Sequence, residues 1–450
     1  MAAELVYQYA RPSSVGPEGL ALATSAPDRA PEPYFRGFLE RPDMSSAALL
    51  CVARVARTRF YVPPGSAARG LADPVVTSEP GALRFESFSA CCGVHARFDV
   101  LPDGLDAETM TPGTVNVDFN EPMRAALARV VARTPLRLQV GFEAVEVETL
   151  EGSAVERRVP LPERWVKGFS EVPVAVADLE PAFELSGVAA QRFLRGLPRG
   201  QGGKATLWAK ASPAGVRLGA RAGGGAVCIA APERLRVLEP IARHMSVLRA
   251  YAVPDQETAG VWVAELAGAR LLVTLSPHFS RGFSGEGGLL EDLADDALAI
   301  EAEFLDRALH DRRRFTGDEL TTTGLSLDRG RRALSWLGAH GRIGFDPVER
   351  VWFRRELPFP SEALAADPPR LRNAKKLVDE GAVRLGPAGE AEVRSGSKAY
   401  SVRLDPPRCS CPWWSKHPGD RGPCKHLLAA QIAAGQLAPL GATDRSTSVQ

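Results

Sequence analysis

The sequence has no run of about 18 uncharged apolar residues, the length a membrane-spanning helix requires. Its nearest approach, Val261 to Leu275, is broken by Glu265 and Arg270. Cysteine is scarce: seven in 450 residues, an odd number, which argues against a disulfide framework. Met1 to Ala10 carries Glu4 and lacks a basic start followed by an apolar block, so no secretory leader is expected and the compartment expected is the reducing cytoplasm. Several catalytic signatures are missing as well. There is no His-Glu-x-x-His, and Glu286 stands where a nucleophile elbow around Ser284 would need its last glycine. The glycine-rich stretch from Gly200 to Thr206 fails as a phosphate loop twice, with Pro198 in place of the first glycine and Ala205 in place of the magnesium-binding hydroxyl after Lys204. A composition of 45% hydrophobic and 24% charged residues excludes collagen, a mainly disordered chain and a coiled-coil rod. The length suits roughly three domains.

The net charge of +1 conceals a division. Met1 to Asp311 sums to −7, Arg312 to Ala430 to +8, and the last twenty residues to zero. Such a split marks either a surface for a polyanion or two parts of one protein that dock electrostatically.

Pro, Gly and Ser punctuate Arg11 to Pro33, which has too little periodicity to assign. Alternating residues predict strands at Leu83–Phe88, His95–Leu101, Thr114–Phe119, Leu136–Val147 and Val155–Val159, with a helix over Pro122–Arg133. A second block has a helix at Val188–Leu197 and strands at Ala205–Lys210, Val216–Ala220, Ala226–Ile229, Val261–Leu266 and Arg270–Leu275. Whether it continues the first sheet stays open at this level. Leu289 to Leu309 predicts one acidic amphipathic helix with Leu289, Leu293, Ala297, Ile300, Phe304 and Ala308 as its apolar stripe. Then Ser326 or Asp328 caps a helix in which Leu327, Leu334 and Leu337 face inward and Arg329, Arg332 and Ser335 face out, with Gly341 as its stop. A hairpin follows: Ile343 and Phe345, a turn over Asp346–Arg350, and a return through Val351 and Phe353, with Arg350, Trp352 and Arg354 on the other face. Helix followed by basic two-stranded wing resembles a winged helix.

Cys409, Cys411, Cys424 and His426 fall within eighteen residues as Cys-x-Cys, twelve residues, Cys-x-His. Zinc takes four ligands at tetrahedral angles, and three thiolates with one imidazole fill them, so one structural Zn²⁺ is expected. Tyr400, Val402 and Leu404 share a strand face that pairs with Glu390–Ser395 across Gly396-Ser397 and delivers the first two cysteines. Leu427, Leu428, Gln431 and Ile432 have helical spacing. Residues two apart on a helix point in nearly opposite directions, so Cys424 must sit just before that helix and His426 in its first turn. The site sums to −1, and Arg408, Lys416, Arg421 and Lys425 surround it. His417 is the alternative imidazole and is expected as an exposed loop residue. Of Trp413 and Trp414, one ring is expected buried and one exposed.

At Tyr400-Ser-Val-Arg-Leu, Cys409-Ser-Cys-Pro and Pro423-Cys-Lys-His-Leu-Leu-Ala the chain resembles the SWIM zinc-finger family, over about Leu371 to Gln436. Phe85-Glu-Ser-Phe-Ser-Ala-Cys-Cys-Gly-Val-His, Asn116-Val-Asp-Phe-Asn and Pro160-Leu-Pro-Glu-Arg-Trp are similar to a bacterial group of SWIM-containing proteins. The resemblance implies a ββα finger and a role in binding DNA or other proteins. For the bacterial group it implies association with AAA+ ATPases and von Willebrand A-domain proteins.

Cys91, Cys92 and His95 invite a thiol-enzyme reading, yet Cys91 and His95 on an extended segment stand about 13 Å apart, beyond proton-transfer reach unless Gly93 turns the chain. A second metal site from Cys51, Cys91, Cys92 and His95 is a weaker variant. The expected architecture is α+β and multi-domain: a mixed, β-rich N-terminal domain over 1–172, a second α+β block over 173–311, a winged-helix-like segment over 312–358, a zinc finger over 371–436 and a flexible tail over 437–450. The expected function is a non-enzymatic, zinc-binding protein-interaction adaptor. The alternative is nucleic-acid binding through Arg329, Arg332, Arg342, Arg354, Arg408, Lys416, Arg421 and Lys425.

Overall fold

The computed structural model describes residues 14–16, 19–21, 32–60, 74–200, 203–213, 215–279, 282–283, 289–357, 369–419 and 422–435. The expected tail over 437–450 and most of the unassigned stretch before Pro33 lie outside them.

The two N-terminal blocks meet inside one antiparallel sheet. Its eight strands run in the order Glu180–Ser186, Val247–Ala252, Gly260–Leu266, Ala269–Leu275, Val94–Val100, Ala82–Phe88, Val75–Glu79 and Gly113–Asn116. The seam is the pairing of Ala269–Leu275 with Val94–Val100, from Ala269 opposite Val100 to Leu275 opposite Val94. The boundary expected near residue 172 therefore separates strands that share a ladder. A five-stranded sheet adjoins it in the order Gly152–Arg157, Ala144–Thr149, Arg137–Val140, Phe35–Leu39 and Leu105–Met110. The single strand expected over Leu136–Val147 is thus two strands of a hairpin.

Both faces of the large sheet are covered, and strand alternation sorts residues between them. Trp262, Ala264, Leu271 and Val273 point into a core shared with α1 (Pro42–Arg57), α2 (Glu121–Arg129), a 3₁₀ helix (Pro232–His244) and the helix Gly187–Gly196. Val261, Val263 and Leu272 point the other way, into a core with α3 (Glu163–Val176), Leu298, Leu305, Leu334, Phe345 and Trp352. Counting Gly187–Gly196 as α4, the acidic segment is two helices, α5 (Leu289–Ala294) and α6 (Asp296–Ala308). Asp295 interrupts them and caps α6, its Oδ1 accepting from the Leu298 amide at 3.1 Å. The buried stripe is Leu290, Ala294, Leu298, Ala302 and Leu305, whereas Ile300 and Phe304 are 54% and 47% exposed. This corrects the expected stripe. The segment holds two apolar rows, and the break at Asp295 turns the other one inward.

α7 (Leu327–Ala339) is capped by the Ser326 hydroxyl, buries Leu334 and Leu337, and ends before Gly341 in the left-handed conformation at φ +68°. Leu327, expected inside, is 42% exposed. Gly330 has its reason here: a Cβ there would meet the Leu320 side chain at 3.3 Å. The hairpin Ile343–Asp346 with Val351–Arg354 is present, and Arg314–Thr316 adds a third strand beside Val351–Arg354. Trp352, expected on its outer face, is buried, with its ring tilted against that of Phe345 at 4.9 Å between centroids. The wing is docked against the large sheet and has no free basic face.

The C-terminal unit begins with α8 (Pro369–Asp379), followed by an antiparallel sheet of Val383–Leu385, Glu390–Ser395, Lys398–Arg403 and Arg408–Cys409. α9 (Pro412–Lys416) and α10 (Lys425–Ala433) complete it. Its core joins Leu371, Ala374 and Leu377 of α8 to Val393, Val402 and Leu427.

Candidate metal centre

The hairpin expected from alternation sets the first two ligands. Ser395 pairs with Lys398 across the turn, Val393 with Tyr400 and Ala391 with Val402, and Val402 then pairs with Cys409. Gly396, at φ +64°, makes the turn. Cys411 and Cys424 each occupy the residue before a helix. The Cys411 Sγ accepts from the Trp414 amide at 3.3 Å and the Cys424 Sγ from the Leu427 amide at 3.4 Å. Amides at a helix start favour a thiolate, so these sulfurs are capping residues and anion acceptors at once. His426 lies in the first turn of α10, as the Cys-x-His spacing required.

The ligand atoms of Cys409, Cys411, Cys424 and His426 are all buried and lie within 4.8 Å of one another. Cys409 Sγ is 3.9 Å from His426 Nδ1. Zn–S near 2.3 Å and Zn–N near 2.0 Å at a tetrahedral angle place sulfur and nitrogen about 3.6 Å apart, so the donor set fits one zinc ion. Four protein ligands leave no position for water or substrate. Among the described residues this is the one cluster of its kind.

Without metal the thiols titrate against one another. The hydrogen bond from Cys409, against burial and helped by bonds from His426 and the Leu427 amide, lowers Cys424 to about 4. Donating to Cys424, together with burial, raises Cys409, and burial raises Cys411. Zinc must displace the protons held by the two raised thiols. Its affinity is therefore expected to climb as pH rises toward neutrality, since binding releases protons from the donor atoms. Competition titration against a chromophoric chelator between pH 5.5 and 7.5 measures that slope; a flat profile contradicts it.

Three neighbours were not legible beforehand. The Tyr400 ring lies 4.3 Å from that of His426. The Arg370 guanidinium sits over Trp413 at 4.8 Å while its Nη1 donates to the Pro423 carbonyl at 3.1 Å, tying the two ligand turns together from α8. Gln431 donates to Glu291 at 2.7 Å, joining α10 to α5. His417 is half-buried beside Trp413 and is not one of the four clustered ligands. Trp413 and Trp414 are both half-buried, which replaces the expected division between them.

The candidate nucleic-acid residues separate into two groups. Arg329 pairs with Asp295 at 2.8 Å and Glu301 at 2.6 Å, and Arg332 with Asp292 at 2.7 Å. Arg342 pairs with Glu303 and Asp306, and Arg354 with Asp306. All four are thus spent on α5 and α6. Near the zinc ligands, Arg408 and Lys416 are exposed, and Lys425 donates to Ser395 at 2.9 Å. Arg421 lies outside the described residues.

The cysteines upstream are dispersed. Cys92 is buried and its thiol pushed up to about 12 by burial, as is that of Cys51. His95 is buried and its Nε2 lies 3.2 Å from Glu86. Cys91 Sγ lies 3.5 Å from the Ser89 hydroxyl. These side chains do not form a second metal cluster.

Residues 400–435 match the family model described as the SWIM zinc finger. No curated protein matches the chain. Among solved structures, the proliferating cellular nuclear antigen of Entamoeba histolytica aligns at 9% identity and a TM-score of 0.36, over 54% of this chain and 98% of its own. The PCNA2–PCNA3 complex of Sulfolobus tokodaii aligns at 10% identity and a TM-score of 0.41, over 54% of this chain and 99% of its own.

Proposed function

We propose that the chain is a non-enzymatic, cytoplasmic protein-interaction adaptor whose zinc-organised C-terminal unit presents a binding surface while the large sheet serves as its platform. The observation that supports this reading over a nucleic-acid one is the fate of the arginines. Arg329, Arg332, Arg342 and Arg354 face the carboxylates of α5 and α6 across an internal contact, so half of the candidate phosphate contacts are already neutralised. Ile300 and Phe304, one turn apart on the solvent side of α6, are apolar contacts of the kind protein interfaces use. The partners suggested by the resemblance are AAA+ ATPases and von Willebrand A-domain proteins. Among the described residues no helix is long and apolar enough to cross a membrane.

The second reading keeps Arg408, Lys416 and Lys425, which lie beside the zinc ligands without a carboxylate partner among the described residues. A gel-shift titration of duplex and single-stranded DNA over ionic strength tests the two. The adaptor reading expects no retardation even at low salt. Retardation of duplex that weakens by about 0.9 log unit per phosphate contact for each tenfold rise in salt, and that is lost in Arg408→Ala with Lys416→Ala, would establish the other.

A further inference from the structure

α1 and α2 pack side by side with the 3₁₀ helix next to α1, and a cavity of about 550 Å³ opens where the three meet. Leu50, Arg54 and Arg57 follow one another along the last turns of α1 and line it from one side, with Arg124 of α2 and Pro240 of the 3₁₀ helix opposite. Three arginines from two helices therefore line one concavity, and among the described residues no carboxylate lines it. Arg124 is held in place by the Phe119 carbonyl and by Glu121. Arg54 and Arg57 have no carboxylate partner among the described residues, whereas the arginines of the large sheet and of α7 are paired. Basic residues in a last turn complement the negative end of the helix dipole, which accounts for their sign but not for the concavity or the third arginine from another helix.

The floor is apolar and neutral. Leu50 and Pro240 contribute carbon, and the buried Cys51 thiol is pushed up to about 12 by burial, so it adds no negative charge. A cavity of this volume lies in the range that small organic ligands fill. Guanidinium forks match the oxygens of phosphate in geometry, and two unpaired forks with a third partly engaged match the charge of a diphosphate better than that of a single carboxylate. We propose that this cavity binds a small organic diphosphate, with its phosphates against Arg54, Arg57 and Arg124 and its organic part against Leu50 and Pro240.

Calorimetric titration of the full, zinc-loaded chain tests the assignment, with ADP as the organic diphosphate and inorganic pyrophosphate as the anion alone. The expected result is one ADP per chain, bound at least tenfold more tightly than pyrophosphate. Binding is expected to weaken at least tenfold in the double variant Arg54→Gln, Arg57→Gln. Arg129→Gln, on the same helix layer but paired with Glu151 outside the cavity, should leave it unchanged. Arg54 and Arg57 are exposed, so the double variant should melt like the wild type, and a shared melting temperature guards the comparison. Three results overturn the proposal: no saturable ADP binding at millimolar concentration, ADP binding indifferent to both arginines, or pyrophosphate binding as tightly as ADP. A duplex oligonucleotide that binds through Arg54 and Arg57 while ADP does not would also overturn it, by making these arginines part of an extended polyanion surface.

Discussion

Cys424→Ser is expected to abolish stoichiometric zinc binding and to unfold residues 369–435 while the eight-stranded sheet stays folded. Serine keeps the capping role, since its hydroxyl can accept from the Leu427 amide as the sulfur does, so the substitution removes a metal ligand and little else. The C-terminal core is small, resting on α8, one face of a four-stranded sheet and α10, with Leu290 and Ala294 of α5 packed against them. Structural zinc contributes on the order of 10–16 kcal/mol to zinc-finger peptides, more than so small a unit gains from burial. Removing it should cost the unit its fold. Hydrogen exchange resolved along the chain is the direct measurement: amides of Lys398–Arg403 and of α10 lose protection, and those of Gly260–Leu266 and Ala269–Leu275 keep it. Chelation of the wild type with a high-affinity chelator should reproduce the pattern. Full protection in both samples would show that zinc does not hold this unit together, and one zinc per chain retained in the variant would show that Cys424 is not required as a ligand.

The metal centre was legible because its information is local. Eighteen residues carry all four ligands, and the strand pairing that delivers Cys409 is set by one tight turn. The rest of the chain is written over longer distances. Asp99 bonds to Arg270, 171 residues away, and Arg97 to Asp346, 249 residues away. No period of 2 or 3.6 announces such partners. Arg84, Glu86, Arg97, Asp99 and Arg270 form a buried band on the face covered by the docked hairpin, a burial that charged residues in alternating strands do not announce. The same blindness affected the arginines of α7. The pattern along the helix predicts that Arg329 and Arg332 face solvent, and they face Asp295, Glu301 and Asp292 instead, because that side of α7 packs against α5 and α6. In Leu289 to Leu309 two apolar rows were available and only tertiary packing chooses between them, which is why Ile300 and Phe304 were assigned to the wrong side. Trp352 failed for the same reason, since a hairpin with both faces covered gives alternation no solvent side to report.

Asp346→Ala is expected to lower the stability of the sheet by about 3–5 kcal/mol near neutral pH, the cost of leaving buried charges without their partner. Asp346 is fully buried in the hairpin, where its Oδ2 accepts from Arg97 at 2.9 Å and from Arg270, with Arg84 at 3.9 Å. On the sheet beneath, Asp99 stands directly between Arg84 and Arg270 in the strand register and also binds Arg97. Asp99 and Asp346 thus share three arginines, of which Arg84 also pairs with Glu79 and Arg270 with Glu349, and removing Asp346 leaves Arg97 with Asp99 as its one paired carboxylate among the described residues. Asp346 Oδ1 also accepts from the amides of Val348 and Glu349, so Asp346→Asn, which keeps a carbonyl oxygen for that turn, separates the charge from the turn. Most of the loss should persist in the asparagine variant. The pH dependence gives an independent check. Burial pushes both aspartates up, but the surrounding arginines outweigh it and hold them below the usual carboxylate range. Glu86, where burial is outweighed by Arg355, His95 and Arg97 together, is lowered to about 2. A carboxylate whose folded value is depressed contributes stability in full above its unfolded value, near 4, and loses it as pH falls through the folded value. Wild-type urea midpoints should therefore drop steeply as pH falls from about 4 toward 2, and the drop should be shallower in Asp346→Asn. A wild-type midpoint in the asparagine variant at pH 7, or parallel acid profiles for the two proteins, would mean that the hairpin is held on the sheet by Phe345, Trp352 and Phe353 alone.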